Sequence, residues 1–240
     1  MTEVVPAEYL RALPDTSTLP ARGTRPLVRF PGAYQPQSDT TLLAKALGRH
    51  PLVRGGSVLD VCTGTGALAL AAWAAGAARV TAIDLSTRSV LNARLNSRLS
   101  GSRVRVLKGD LFGPVMGEGF DLVVCNPPYV PASGDRLPRH TMGRCWDGGR
   151  TGRRVLDRVC DEVRPVLADG GALLLTHSAV IDESATVQRL SAAGLTASVV
   201  ARERIPFGPV MRERARMMTE RGLIEPGQDA EELVVIEARS

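Results

Sequence analysis

The chain has 240 residues, 44% of them apolar and 23% charged, which is an ordinary composition for a globular protein. The formal net charge of +5 is compatible with an acidic partner but does not require one. No apolar run approaches the roughly 20 residues of a membrane-spanning helix, and the first ten residues lack the basic start of a secretory signal. These features argue against a membrane or secreted protein, so we expect a cytoplasmic protein with one large domain and no membrane partner.

The predicted elements begin after a stretch rich in Pro, Arg and Thr, residues 1–33, which we expect to form an N-terminal arm with a short helix over 5–13. A helix is predicted to start near Ser38 or Asp39, either of which can cap it. From Ser57 onward, strands and helices alternate. The strands are predicted over 57–61, 79–83, 104–107, 120–125, 172–176, 195–201 and 232–238, and the helices over 67–75, 86–99, 153–167 and 182–193.

This alternation predicts an α/β domain over residues 34–240, with a mostly parallel sheet covered on both faces. No helix is predicted between the last two strands, which favours a terminal antiparallel hairpin. Between them lies a basic insertion, residues 204–228.

Polar residues follow three neighbouring strands of the predicted sheet. The segment 60–66, Asp-Val-Cys-Thr-Gly-Thr-Gly, closes the first strand, and its glycines let a ligand approach the main chain at a helix N-terminus. Asp84 ends the second strand, where a carboxylate can accept both hydroxyls of a ribose. Asp110 follows the third, where it can accept from an adenine amino group. The predicted cofactor-binding residues are Asp60, Cys62, Thr63, Gly64, Gly66, Asp84, Leu85, Asp110, Leu111 and Asn126.

A dehydrogenase with a dinucleotide site is the alternative for this turn. However, Leu68 and Ala69 follow Gly66, so the turn is not Gly-x-Gly-x-x-Gly and lacks the third small residue that a pyrophosphate site uses. Acidic strand ends without a phosphate cradle fit S-adenosylmethionine better than NAD.

The segment Asn126-Pro127-Pro128-Tyr129 directly follows the predicted strand over 120–125. Neither proline has an N–H, and each keeps the residue before it extended. The Asn126 side chain and the carbonyls of Asn126 and Pro127 can therefore hold both hydrogens of a planar –NH2 group beside the Tyr129 ring. A plain turn is the alternative for the tetrapeptide alone, but the acidic strand ends favour a catalytic role for Asn126, Pro127 and Tyr129.

These residues resemble the class I S-adenosylmethionine-dependent methyltransferases, and within them the HemK-like amide methyltransferases that modify a glutamine of peptide release factors. The matching stretches are Tyr34-x-Pro36-x-x-Asp39-Thr40, residues 60–66, Asp84, residues 109–112, residues 126–129 and the Trp/Gly-rich segment 146–153. The resemblance implies a Rossmann-like seven-stranded sheet, mostly parallel with an antiparallel last strand. It also implies S-adenosylmethionine as cofactor and substrate contacts from Tyr34, Asp39, Pro128 and Tyr129. Cys62 stands where the family often has glycine.

The function we expect is N-methylation of a protein glutamine, with a release factor as the substrate. The alternatives are methylation of an adenine in nucleic acid or of a small metabolite, and a non-catalytic binding module on the same fold. Nucleic acid is less favoured because aromatic residues make up only 4% of the chain. An activating partner subunit stays open, and the four cysteines show no metal-ligand spacing, so no metal is expected. His140 and His177 are isolated and are interpreted as surface or structural residues.

A group of arginines lies in the basic insertion or just before it. We expect a solvated face on which Glu203 and Glu213 are the partners, and the alternative is a lid or a docking surface for an acidic partner. The arginines concerned are Arg202, Arg204, Arg212, Arg214 and Arg216.

Overall fold

The computed structural model describes residues 3–4, 27–31, 33–135 and 142–240. Its strands are β1 (Glu3–Val4), β2 (Val28–Arg29), β3 (Ser57–Val61), β4 (Arg79–Asp84), β5 (Val104–Lys108), β6 (Phe120–Cys125), β7 (Leu167–Ser178), β8 (Thr196–Pro206) and β9 (Ala230–Arg239). Its helices are α1 (Ser38–Arg49), α2 (Ala67–Ala74), α3 (Thr87–Leu99), α4 (Arg154–Glu162), α5 (Glu183–Ala192) and α6 (Pro209–Glu220).

The central element is a seven-stranded sheet in the order β5-β4-β3-β6-β7-β9-β8. The pairs from β5 to β7 are parallel, and β9 runs antiparallel to both β7 and β8. Every residue of β3 is buried, as are all but one of β6, so both faces of the sheet are covered at its centre. The predicted α/β class, the parallel sheet and the antiparallel last strand are confirmed.

The largest differences from the predicted boundaries follow Cys160. The predicted helix over 153–167 ends at Glu162, because Pro165 has no N–H to continue it and disfavours helical geometry at Arg164. β7 then starts at Leu167 instead of Ala172, and its register against β6 shifts between Phe120 and Leu122. The longer strand brings Ser178 to the same edge of the sheet as the ends of β3 and β6.

The described part of the predicted arm is fastened to α3 by two buried asparagines. Asn96 accepts from the Val28 N–H at 2.9 Å, and the side chains of Asn92 and Asn96 both donate to the Val28 carbonyl. The helix expected over 5–13 lies outside the described residues, and the domain boundary after residue 33 stays a prediction. Among the helices that the structure describes, none is long and apolar enough to cross a membrane.

Candidate active site

A cavity of about 1260 Å³ lies at the carboxyl ends of β3, β4, β5 and β6. This volume exceeds the roughly 300–1,000 Å³ of typical ligand pockets, so two ligands can lie side by side. The wall is also formed by residues 34–39, residues 126–130, the segment 145–147, the first turn of α6 and the start of β9.

The turn between β3 and α2 is supported from behind by Asp60. This carboxylate is fully buried, and its Oδ2 accepts from the Thr63 hydroxyl at 2.5 Å and from the Ala69 N–H at 2.9 Å. Burial raises the pKa of Asp60 to about 7. Asp60, Thr63 and Gly66 are not part of the described cavity wall, and Asp60 supports the turn from behind through Thr63 and Ala69. The contact of these three residues with the cofactor stays a prediction.

The front of the same turn faces the cavity at Cys62 and Gly64. Cys62 has a φ of 61°, in the left-handed region that favours glycine, which gives a physical reason for the glycine common at this position in the family. The Gly64 N–H donates to Asp84 Oδ2 at 2.9 Å, and the Ser86 N–H donates to Asp84 Oδ1 at 2.8 Å. Both Asp84 oxygens thus accept main-chain N–H groups, which fixes the carboxylate at the cavity wall where a ribose hydroxyl can bind it.

The next strand end carries Asp110 and Leu111, which also line the cavity. Arg158 of α4 holds the Asp110 carboxylate through two contacts of 3.1 Å, and this pair raises the pKa of the Arg158 guanidinium. The exposed side chain of Leu85 adds an apolar surface beside Asp84. The predicted cofactor residues that the structure brings to the cavity wall are Cys62, Gly64, Asp84, Leu85, Asp110, Leu111 and Asn126.

Asn126 stands at the end of β6 with its amide held by helix α1. Its Nδ2 donates to the Thr40 hydroxyl oxygen at 3.4 Å, and the Thr40 hydroxyl in turn donates to Asp39 Oδ1 at 3.2 Å. This bond sets the orientation of the amide, whose Oδ1 is the atom that can accept a hydrogen from a ligand. Thr40 was not predicted as a site residue, although it lies inside the matching stretch at 34–40.

A buried carboxylate organises the other side of the Asn-Pro-Pro-Tyr segment. Asp39 accepts from the Tyr34 hydroxyl at 2.7 and 2.9 Å, from the Thr40 N–H at 2.6 Å and from the Tyr129 hydroxyl at 3.3 Å. Burial and the charge of Asp39 raise the pKa of the Tyr129 phenol well above its usual value. Tyr34, Asp39, Pro128 and Tyr129, the predicted substrate contacts, all line the cavity.

The Trp/Gly-rich segment lies directly against the residues that follow Tyr129. The Val130 N–H donates to the Trp146 carbonyl at 2.7 Å, and the Gly148 N–H donates back to the Val130 carbonyl at 2.9 Å. Gly152 has a φ of 80°, and a Cβ there would lie 2.3 Å from the Tyr129 carbonyl oxygen. Main-chain hydrogen bonds therefore join Val130 to the segment 146–148, and Trp146 and Asp147 become part of the cavity wall.

The arginines of the basic insertion mostly hold their own chain. Arg202 pairs with Glu183 and Glu232, Arg212 donates to the Phe207 carbonyl, and Arg216 pairs with Glu220. The expected partners Glu203 and Glu213 take part in none of the ion pairs described for these residues. The expected pairs with Glu203 and Glu213 are therefore wrong, because Arg202, Arg212 and Arg216 contact other glutamates or a main-chain carbonyl instead.

Arg214 makes the contact that bears on the site. It donates to the Pro131 carbonyl at 2.9 Å and lies 2.5 Å from Asp147 Oδ1. Arg221 donates to the carbonyls of Ala132 and Ser133. Helix α6 thus stabilises the loop that follows the Asn-Pro-Pro-Tyr segment.

His177 contributes no base to the described wall of this cavity. His177 is fully buried on β7, outside the described wall, and burial lowers its pKa to about 4. His140 lies outside the described residues.

Comparisons with known proteins place the chain in a family. The Methyltransferase small domain model matches residues 33–138. One relative is a protein of Methanocaldococcus jannaschii that is named as an inferred protein N5-glutamine methyltransferase. It is 32% identical over 181 residues, which are 75% of this chain and 90% of that protein. The chain belongs to the HemK-like family of class I S-adenosylmethionine-dependent methyltransferases.

A bacterial relative shares less of its length with this methyltransferase. The release factor glutamine methyltransferase of Deinococcus radiodurans is 42% identical over 149 residues, which are 60% of this chain but only 53% of that protein.

Two solved structures show the same fold as this methyltransferase. A chain of the E. cuniculi Mtq2–Trm112 complex matches with a TM-score of 0.61 and 24% identity, over 88% of this chain and 99% of that one. The T. thermophilus 16S rRNA N2 G1207 methyltransferase, solved with AdoMet and guanosine, matches with a TM-score of 0.56 and 19% identity, over 90% of this chain and 47% of that one.

The methyltransferase uses S-adenosylmethionine as its cofactor, and the cavity fits that molecule. Asp84 offers lone pairs for a ribose, Leu85 and Leu111 offer apolar surface for a base, and the Gly64 turn has no side chain to block a close approach. We expect the wall residues at these three strand ends to hold the cofactor.

Proposed function

We propose that this methyltransferase modifies the side-chain amide nitrogen of a glutamine in a protein, and that the protein is a peptide release factor. The observation that carries the proposal is Asn126 at the cavity wall: the Nδ2 bond to Thr40 sets the orientation of its amide, and its Oδ1 is an acceptor for an amide hydrogen. The names of the M. jannaschii and D. radiodurans relatives support the same acceptor.

The chain's own residues would act on the acceptor nitrogen by holding it. Asn126 Oδ1 and the Pro127 carbonyl would accept the two N–H hydrogens, which raises electron density on a nitrogen whose lone pair is otherwise delocalised. S-adenosylmethionine, when bound, supplies an electrophilic methyl group on its sulfonium sulfur. Fixing the nitrogen in line can contribute ~7–11 kcal/mol of barrier reduction in favourable cases, so a strong general base is not essential.

The test is incubation with labelled S-adenosylmethionine and purified release factors, alongside DNA, RNA and a metabolite extract. We expect label on a release factor glutamine, mapped by mass spectrometry, and none with Asn126→Ala, which should keep cofactor affinity within a few-fold. Label only on nucleic acid or on a metabolite would overturn the acceptor assignment.

The same assay addresses two further parts of the proposal. The E. cuniculi structure is a complex of two proteins responsible for methylation of the translation termination factor eRF1. The chain is therefore assayed alone and after addition of cell extract, to detect an activating subunit. Release factors act in the cytoplasm, where we place the enzyme; fractionation of cells followed by immunoblotting checks this location.

A further inference from the structure

We propose that Glu231 is a specificity-determining residue of the acceptor site, which accepts a hydrogen bond from a main-chain N–H of the segment carrying the target glutamine. This inference rests on the proposed function and names a contact that the reacting amide does not make.

Glu231 is a buried carboxyl with an unused acceptor atom. It lies at the start of β9, is only 6% exposed and belongs to the cavity wall. Ser178 at the end of β7 hydrogen-bonds its carboxyl group, whereas Oε2 has no partner in the described part of the chain. A buried acceptor without a donor is unfavourable, so a ligand that brings a donor gains affinity there.

The position of Glu231 places it on the acceptor side and away from the cofactor turn. In the sheet, β7 separates β9 from β6, and β6 separates β7 from β3, which carries the Gly64 turn. Burial and the charge of Asp39 raise the pKa of Glu231, and Asp39 is bonded to Tyr129. Glu231 therefore belongs to the same side of the cavity as the predicted substrate contacts Asp39 and Tyr129.

The neighbouring polar atoms cannot serve the same purpose. Asp39 already accepts from two tyrosine hydroxyls and from Thr40. Apolar wall residues also lie here, among them Ile205, which pairs with Glu231 between β8 and β9, and Leu233. An unpaired carboxyl oxygen beside these residues favours a ligand that brings an N–H donor.

A peptide main chain supplies such a donor next to the side chain that reaches the clamp. Glu231 also lies outside residues 33–138, where the Methyltransferase small domain model matches. Recognition of the main chain beside the glutamine is thus assigned to β9, whereas the glutamine amide itself is held by the segment that follows β6.

The test compares Glu231→Gln and Glu231→Leu with Glu232→Gln as the matched control. Glu232 is the next residue but pairs with Arg202 at the surface. With a release factor or a glutamine peptide as acceptor, both Glu231 variants should raise KM at least about 10-fold, with kcat within about 3-fold and cofactor Kd within about 2-fold. Glu232→Gln should match the wild-type enzyme.

The outcomes separate the two proposals. If the wild-type enzyme methylates no glutamine, the proposed function fails and the peptide contact fails with it. If it methylates glutamine but Glu231→Gln keeps the wild-type KM, only the Glu231 proposal is overturned. If Glu231→Leu does not fold, Glu231→Gln decides. If the Glu231 variants raise KM only for free amine acceptors and leave the KM for the glutamine peptide unchanged, the main-chain N–H contact is overturned. Glu231 would then bind a small cationic acceptor.

Discussion

Asn126 Nδ2 lies 3.4 Å from Thr40 Oγ1, although the two residues are 86 positions apart in the sequence. The contact connects the end of β6 to the first turn of α1, which is held in turn by Asp39 and Tyr34. A helix that precedes the sheet thereby decides which atom of the catalytic amide faces the acceptor. We expect residues 34–40 to orient the Asn126 amide as well as to contact the substrate.

Removing the Thr40 hydroxyl should therefore reduce turnover without affecting the cofactor. Thr40→Val keeps the shape of the side chain but lets the Asn126 amide rotate, and we expect kcat to fall about 10-fold or more, the equivalent of one hydrogen bond. Thr40→Ser retains the hydroxyl and should keep kcat within about 3-fold. Steady-state kinetics and calorimetric titration of the cofactor measure both effects; a wild-type kcat for Thr40→Val would contradict the orienting role.

Asp84 should show the opposite pattern, a loss of cofactor affinity. Its carboxylate fixes the Gly64 and Ser86 N–H groups and offers lone pairs to the ribose, so Asp84→Asn should raise the cofactor Kd about 10–100-fold. The control is Asp121→Asn, because Asp121 also accepts a main-chain N–H, from Ser57 at 2.7 Å, but at the start of β3. Equal changes of Kd in the two variants would mean that Asp84 acts only through general stability.

Most of this site could be predicted because each part follows a strand with a clear apolar pattern. Asp84, Asp110 and Asn126 end consecutive strands, and the carboxyl ends of parallel strands meet at one edge. The same rule does not say which strand-end residues face the ligand. Asp60 was predicted as a cofactor contact, but the left-handed Cys62 turns the chain so that Asp60 lies behind the turn.

The acceptor side was less predictable because its residues come from distant parts of the chain. Glu231 reaches the cavity only because β9 inserts between β7 and β8, an order that the sequence pattern does not specify. The arginines of the insertion have the composition of a solvated face, yet Arg214 is bound to the loop after Tyr129. The composition shows that the insertion is charged, whereas the residue with which each arginine pairs depends on the tertiary structure.

Arg214 should stabilise that loop, and Arg216 on the same helix provides the control. Arg214 has a main-chain and a carboxylate partner in a partly buried setting, so Arg214→Ala should lower the free energy of unfolding by about 1–3 kcal/mol and reduce kcat. The Arg216 side chain is 91% exposed, and Arg216→Ala should change stability by less than about 0.5 kcal/mol. Urea unfolding and hydrogen exchange of residues 127–135 measure the difference. Equal exchange rates in the two variants would show that Arg214 does not stabilise the loop.

Asp60 should make the stability of the enzyme fall as the pH rises toward neutrality. Its pKa is raised by burial from 3.8 to about 7, so between these values the folded state keeps a proton that the unfolded state has lost. The stabilisation is complete below pH 3.8 and is lost as the pH rises through 7, at about 1.4 kcal/mol per pH unit within the window.

Asp60→Asn cannot ionise and should remove this dependence. Its amide can occupy the place of the protonated Oδ1, which has no hydrogen-bond partner in the described residues, while the other oxygen keeps Thr63 and Ala69. Urea unfolding of both proteins from pH 5 to pH 8 isolates the effect of Asp60, because every other titrating group is common to both and cancels in the difference. The stability of the wild-type protein should fall relative to the variant as the pH rises, and parallel curves would mean that Asp60 is already ionised in the folded protein at pH 5.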